Sequence, residues 1–337
     1  MSKMADDAAV RPGPAGPPED RPRTITTRIS RADLVFRTVV RLAALLVLGI
    51  TALIAAFLID RASGTLHAVG WRFLTNFQWL TNGHHLGVGA LLPDTIFIAL
   101  IALIFAVPIA LAAAIFISEY APYRLRRPLI ALIDLMAAIP SILYGIWGFF
   151  WLMPRFIGTQ RWISDHLGFI PFLKVPGAFE PGNFEDSTFL AGVVVSLMII
   201  PIIASISREV FSQAPQGERE AAYALGSTRW GMIRTVVLPY GRGGVIGAVM
   251  LGFGRAMGET IVVSLIISAV FTIVTHPLQS GGNSIAALIA QSYAESTPGT
   301  ISALIAAGLV LFIVTLIVNA IAATIIARSR SGLQTAD

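Results

Sequence analysis

Six stretches of the chain are apolar for about 20 residues or more: 39–59, 91–117, 129–153, 189–207, 244–267 and 301–327. A helix rises 1.5 Å per residue, so roughly 20 apolar residues cross the ~30 Å hydrocarbon layer of a bilayer. The pattern predicts an all-α integral membrane protein with six transmembrane helices. Pro108 and Pro140 fall inside predicted spans, where a ring without an N–H kinks a helix and leaves carbonyls for neighbours to satisfy. Gly145 and Gly148 sit in the third span, where small residues let helices approach closely. Between the fourth and fifth spans the pattern changes. SQAPQGEREAAYALGSTRWGMIRTVVLP is too polar to cross and reads as two short helices with a bend between them. Pro215 suits the first turn of the first helix, and Gly226 the left-handed position just past its end. Glu218, Ala221, Ala222 and Leu225 share one face, mostly small and apolar. Ser227 or Thr228 can cap the second helix, which Pro239 is expected to close.

Composition agrees with the pattern. The chain is 55% hydrophobic and 13% charged, against about 25% charged in soluble domains. A net charge of +5 would suit a nucleic-acid partner, but the basic residues are distributed as a topology signal instead. With the N-terminus in the cytoplasm, 18 Lys and Arg residues flank the spans on the inner side and five on the outer, with Arg255 inside a span. Both termini and the polar hairpin are therefore expected in the cytoplasm, and a nucleic-acid partner is not. Residues 1–37, rich in Pro, Gly and charge, are expected to form a disordered cytoplasmic tail rather than a cleaved signal peptide. Residues 38–330 form the expected transmembrane domain, its lipid-facing belts marked by Trp and Phe in the outer loops. The absence of cysteine excludes disulfides and thiolate chemistry. The five histidines all fall in outer loops, and the adjacent pair His84–His85 has no third ligand nearby, so no metal site is expected.

The hairpin carries a family resemblance. Glu220, Ala221 and Ala222, then Gly226, then Val236-x-Leu238-Pro239 resemble the EAA loop of ABC-importer permeases, with Val236 where that family usually has Ile. SEYAPYRLRRPLIALIDLMAAIPSILYGIWG and GFGRAMGET narrow the resemblance to the phosphate-specific (Pst) permeases. GxLLPDTI at the second span and GETIVV in the fifth resemble their C-type subunit, PstC, over roughly residues 60–328. The resemblance implies a type I ABC-importer permease fold in a bacterial cytoplasmic membrane. It implies that the loop, about 212–240, docks on an ATPase through Glu220, Ala221, Ala222, Gly226, Leu238 and Pro239. The implied partners are an A-type permease in a heterodimer, two ATP-binding cassette subunits and an extracytoplasmic phosphate-binding protein. No Walker motif occurs in this chain, so ATP and its Mg belong to the partner ATPase and no cofactor is expected here. The A-type subunit, or a permease for molybdate or sulfate, remains the alternative.

The fifth span contains a charged pair. Arg255 lies about 17 Å into it by helical rise, near the middle of the hydrocarbon layer. Glu259 is four residues further, on the same face of a continuous helix, so the two are expected to pair. Gly254 and Gly258 have GxxxG spacing, which offers a close-packing face beside them. Ionisable groups at that depth mark a pathway, and Arg recognises tetrahedral oxyanions through two parallel hydrogen bonds. In the resembling family these two positions are implicated in phosphate passage. Asp134, near the inner edge of the third span, is expected to pair with Arg126, Arg127 or a partner chain. A membrane enzyme is not expected, because the spans hold no histidine or cysteine for a catalytic base, nucleophile or metal cluster. Nor is an ion-driven carrier, which has no use for the EAA spacing.

Overall fold

A computed structural model describes residues 31–80, 85–175, 181–271 and 274–330. Residues 1–30 of the expected tail, and His84 of the histidine pair, lie outside the described residues. The other part of the expected tail is ordered: α1 begins at Arg31, so residues 31–37 are helical. The hydrophobic run starting at Leu34 propagates the helix outward past the predicted span.

α1 (Arg31–Val69) is 39 residues, or ~58 Å, longer than a hydrocarbon layer. The chain divides into two units after Leu53. In the first, every described side chain of α1 is exposed, as an apolar helix facing lipid would be. The second unit holds the rest. There the end of α1 is fixed by Thr65, whose hydroxyl donates to Ser302 at 3.0 Å.

After α1 come a single turn, α2 (Arg72–Thr75), and a two-residue antiparallel ladder, β1 (Trp79–Leu80) with β2 (His85–Leu86). This ladder is a small exception to the all-α expectation. α3 (Leu91–Ile115) continues through a widened π-turn at Phe116–Tyr120. Pro108 lies within α3 without breaking it. α4 (Tyr123–Ala138) and α5 (Ser141–Trp147) follow, and a second π-turn, Gly148–Leu152, leads into α6 (Met153–His166). α7 (Thr188–Ser212) is capped by the Ser187 hydroxyl, which accepts from Leu190 N. Next come α8 (Gln216–Ala224), α9 (Arg229–Met232), a third π-turn (Ile233–Val237), α10 (Leu238–Met257) and α11 (Ile261–Ile266). α12 (Ile285–Ser292) and α13 (Pro298–Arg330) complete the described residues.

Among the described residues, five helical stretches are long and apolar enough to cross a membrane: Arg31–Val69, Leu91–Tyr120, Thr188–Ser212, Arg229–Met257 and Pro298–Ile326. The third predicted span is different. It breaks between Ala138 and Ser141, and its two parts meet at 86°. Pro140 supplies the reason: its ring excludes the helical conformation from Ile139, which is extended. The predicted fifth span is also interrupted, at residues 258–260, between α10 and α11.

α7 is the central helix, packed on α3 and α10. Its contact with α3 is close because Gly192 has no side chain, and a Cβ there would sit 2.6 Å from Ile101 Cγ2. Gly145 and Gly148 do bring helices together, since added Cβ atoms would lie 2.8 Å from Leu265 and Val194 respectively. At the N-terminal end of α3, polar side chains bind the loop before α12. Buried Asp94 accepts from Asn283 N at 3.2 Å, and Thr95 from Ile285 N at 3.1 Å.

Candidate functional site

The polar hairpin folds as two helices, with differences at its edges. Pro215 stands at the N-cap, one residue before the first helical residue, and not in the first turn. α8 ends in a Schellman motif: Gly226 N donates to Tyr223 O at 2.9 Å and Ser227 N to Ala222 O at 3.1 Å. Gly226 has φ +83° with open space where a Cβ would point, so the requirement for glycine is conformational. Of the two predicted caps, Thr228 is used; its hydroxyl accepts from Gly231 N at 3.1 Å. Pro239 does not close the second helix. α9 runs through the π-turn into α10, with Pro239 in the first turn of α10. The widened turn absorbs the missing N–H.

The hairpin residues divide by direction. Glu220, Ala221 and Gly226 are exposed. Ala222 and Leu238 turn inward, against a core of Ala114, Phe211, Met232, Ile233 and Val237. Pro239 is exposed beside Leu238. At the tip, Leu225 is 88% exposed and Trp230 55%. An apolar knob of that kind beside charged residues is suited to burial against another protein.

Behind this surface Arg219 points inward to Glu119. The Glu119 side chain is 4% exposed, and Arg219 Nη1 lies 2.9 Å from both of its carboxylate oxygens. The rest of the guanidinium is used as well: Nε donates to Ala214 O at 3.2 Å and Nη2 to Phe211 O at 2.6 Å. Beside Glu119, the Tyr120 ring carries the Arg229 guanidinium 5.0 Å from its centroid. The π-turn Phe116–Tyr120 thus touches both helices of the hairpin.

The fifth-span pair is arranged differently. Arg255 is exposed, Glu259 is 8% exposed, and no ion pair joins them. The expected i, i+4 geometry fails because the helix ends at Met257 and the chain leaves the helical path at Gly258. Glu259 N donates to Ala256 O at 3.3 Å. The backbone amides of Val262 and Thr260 and the nearby charge of Arg255 all favour the Glu259 carboxylate, without a direct ion pair. Gly254, offered as half of a GxxxG packing face, has nothing within 4 Å of where a Cβ would be. Ser264 of α11 and Ser268, just past its end, border a recess of about 360 Å³ that Glu185 and Asp186 also line. Asp134 is exposed and pairs with neither arginine offered to it.

Residues 106–331 match the family model of the binding-protein-dependent transport system inner membrane component. The chain belongs to this permease family. It is 43% identical over 277 residues to phosphate transport system permease protein PstC 2 of Mycobacterium tuberculosis, covering 81% of this chain and 85% of the relative. To phosphate transport system permease protein PstC of Xylella fastidiosa it is 41% identical over 306 residues, covering 89% and 92%. A solved bacterial ABC transporter involved in import of the polysaccharide alginate superposes at TM-score 0.54, with 16% identity, over 87% of this chain and 98% of that one. The MetNI methionine ABC transporter, in an inward-facing conformation, gives TM-score 0.52 and 16% identity over 72% and 97%. The fold is that of type I ABC-importer permeases, and the chain is a multi-pass transporter subunit, not an enzyme.

Two features of the permease escape the sequence pattern. The Glu119–Arg219 bond joins residues 100 positions apart; its only sequence signal is an acid at the end of a long apolar run, where a charge needs a partner. The break after Met257 has a signal in Gly258, which the GxxxG reading assigned to packing.

Proposed function

We propose that this permease is the C-type subunit of an ATP-driven phosphate importer. The observation that carries the reading is identity of about 40% with phosphate transport permeases over more than four fifths of the chain. The subunit works in a bacterial cytoplasmic membrane with both termini inside, an orientation supported by the 18-to-5 asymmetry of basic residues. It pairs with an A-type permease, receives phosphate from an extracytoplasmic binding protein, and docks on two ATPase subunits that hold ATP and Mg. The docking surface is the exposed tip of the hairpin, with Glu220, Ala221, Leu225, Gly226 and Trp230. Ala222, Leu238 and the start of α10 support it from behind.

Arg255 is the cation of the pathway. Phosphate carries one to two negative charges, and taking it out of water requires a compensating charge. A guanidinium that no carboxylate holds can present two parallel donors to an oxyanion. Glu259, beside backbone amides, sets the negative boundary of the same segment without a direct ion pair to Arg255. Beyond it, Ser264 and Ser268 supply hydroxyls to the recess lined by Glu185 and Asp186.

The test is uptake by the reconstituted transporter, with ATP on the hairpin side of the membrane and the binding protein on the opposite side. Radiolabelled phosphate should accumulate only with ATP, and excess unlabelled phosphate should compete better than sulfate or molybdate. Preferential uptake of either of those anions would transfer the assignment to another oxyanion permease.

A further inference from the structure

α8 has only nine residues and is bounded by irregular joints on both sides, residues 213–215 before it and 225–228 after it. A helix that short does not hold its own direction. Its orientation against the membrane helices is set by the side chains it sends inward, Arg219 and Ala222. Ala222 contributes one methyl group. Arg219 contributes an ion pair to the π-turn after α3, with Nη1 shared between both Glu119 oxygens, and two further bonds to the carbonyls of Phe211 and Ala214, across the first of the two joints.

Glu119 is attached to a long, closely packed element. From Leu91 to Tyr120 runs one 30-residue helical stretch, ~45 Å long, packed on α7 without a gap at Gly192. Its far end holds the backbone at Asn283 and Ile285. Gly282 of that loop accepts from Val270 N at 3.2 Å, just beyond the end of α11. One continuous helical stretch, packed on α7, thus has the hairpin at one end and the loop bonded to the exit of the Glu259 segment at the other.

We propose that Glu119 and Arg219 are positioning residues of the coupling step, making α8 move as one piece with α3. This rests on the reading of the hairpin as the ATPase dock. Without the pair, α8 still offers its outer surface to the ATPase, but it pivots at its two joints and the displacement is not delivered to the membrane helices. ATP hydrolysis then continues with little transport.

The decisive variant is Glu119→Gln combined with Arg219→Met. It removes both charges, so no uncompensated ion is left buried and folding is preserved. In liposomes containing both permeases, the ATPase and the binding protein, inorganic phosphate imported per ATP hydrolysed should fall about tenfold, within the usual range of coupling between distant sites. ATPase content and total hydrolysis per complex should stay near wild type. Arg219→Lys keeps the charge but cannot reach Glu119 and both carbonyls together, so its ratio should be intermediate. A wild-type import ratio in either variant overturns the proposal. Should the double variant fail to assemble, Arg219→Lys decides alone. Loss of assembled complex with an unchanged ratio would make the pair purely structural. Failure of the dock itself reads differently: Gly226→Pro, which breaks the bend, would then leave both hydrolysis and import at wild-type levels.

Discussion

The permease contains two arginine–carboxylate neighbourhoods built from the same chemistry and set in opposite states. At the hairpin, Glu119 and Arg219 are closed, with every guanidinium nitrogen bonded to protein. In the broken span, Arg255 and Glu259 form no ion pair: the arginine is exposed, and the buried acid feels its charge only at a distance, beside backbone amides. The difference originates in the backbone. Arg219 sits on a regular helix facing a fixed π-turn, whereas Glu259 follows a glycine at which the helix stops. A closed pair resists movement, and an open one leaves a cation for an anion that arrives. Proximity in sequence is a poor guide to which state results, since the open pair is four residues apart and the closed one 100.

The contrast is broken most forcefully by Glu119→Ala. It leaves Arg219 partly buried without its carboxylate, a loss of about 3–5 kcal/mol for a buried pair missing one partner. Thermal unfolding of the purified complex, or its yield, should drop sharply. Arg255→Ala, at an exposed site with no ion pair, should change stability by only about 0.5 kcal/mol. Equal destabilisation by the two would show that the closed and open descriptions are not distinct.

Function should invert that order at Arg255. Arg255→Gln keeps hydrogen-bond donors but removes the charge, and uptake per assembled complex should fall about 100-fold, as for loss of a preorganised charge-stabilising donor. Exchanging the charges, Arg255→Glu with Glu259→Arg, should not restore uptake. The two positions differ in exposure and in backbone partners, so a guanidinium at 259 would face amides that already donate. Recovery in the exchange would return the pair to a packing role.

The hairpin's geometry gives a smaller effect. Gly226→Ala forces a Cβ into the left-handed region, at about 1–2 kcal/mol. Space is not limiting there, so Gly226→Asn should recover much of the loss, because Asn tolerates that conformation. Matching defects for Ala and Asn in ATPase co-purification would mean that the surface, not the bend, needs glycine.

The spans, the hairpin bend at Gly226 and the close approach at Gly145 and Gly148 are local or periodic, and they appear in the pattern of residues. The 86° break at Pro140 was marked by its proline, although the size of the bend depends on packing against α7. The open state of Arg255 was not legible, because i, i+4 spacing implies a pair only where the helix continues. Glu119–Arg219 was not legible either, since nothing along the chain relates positions 119 and 219 before α3 and α7 are packed. For the same reason the EAA residues could be named but not sorted into those that face outward and those that support them.

The finest distinction concerns Gly254. On helix propensity alone, Gly254→Ala should stabilise α10 by about 0.5–1 kcal/mol, because nothing lies within 4 Å of the added methyl. Gly252, two residues earlier, is the control: a Cβ there would sit 2.8 Å from Ile203 Cδ1, so Gly252→Ala should lose stability by pushing α7 from α10. If the side of α10 bearing Gly254 and Arg255 borders the pathway, Gly254→Ala will assemble with its partners as wild type and transport almost normally. If another chain packs on that side as a GxxxG face, the methyl will instead reduce the amount of assembled complex while leaving the isolated subunit stable. Comparing assembly with subunit stability for this one methyl therefore reads whether Arg255 opens to the substrate or to a neighbouring helix.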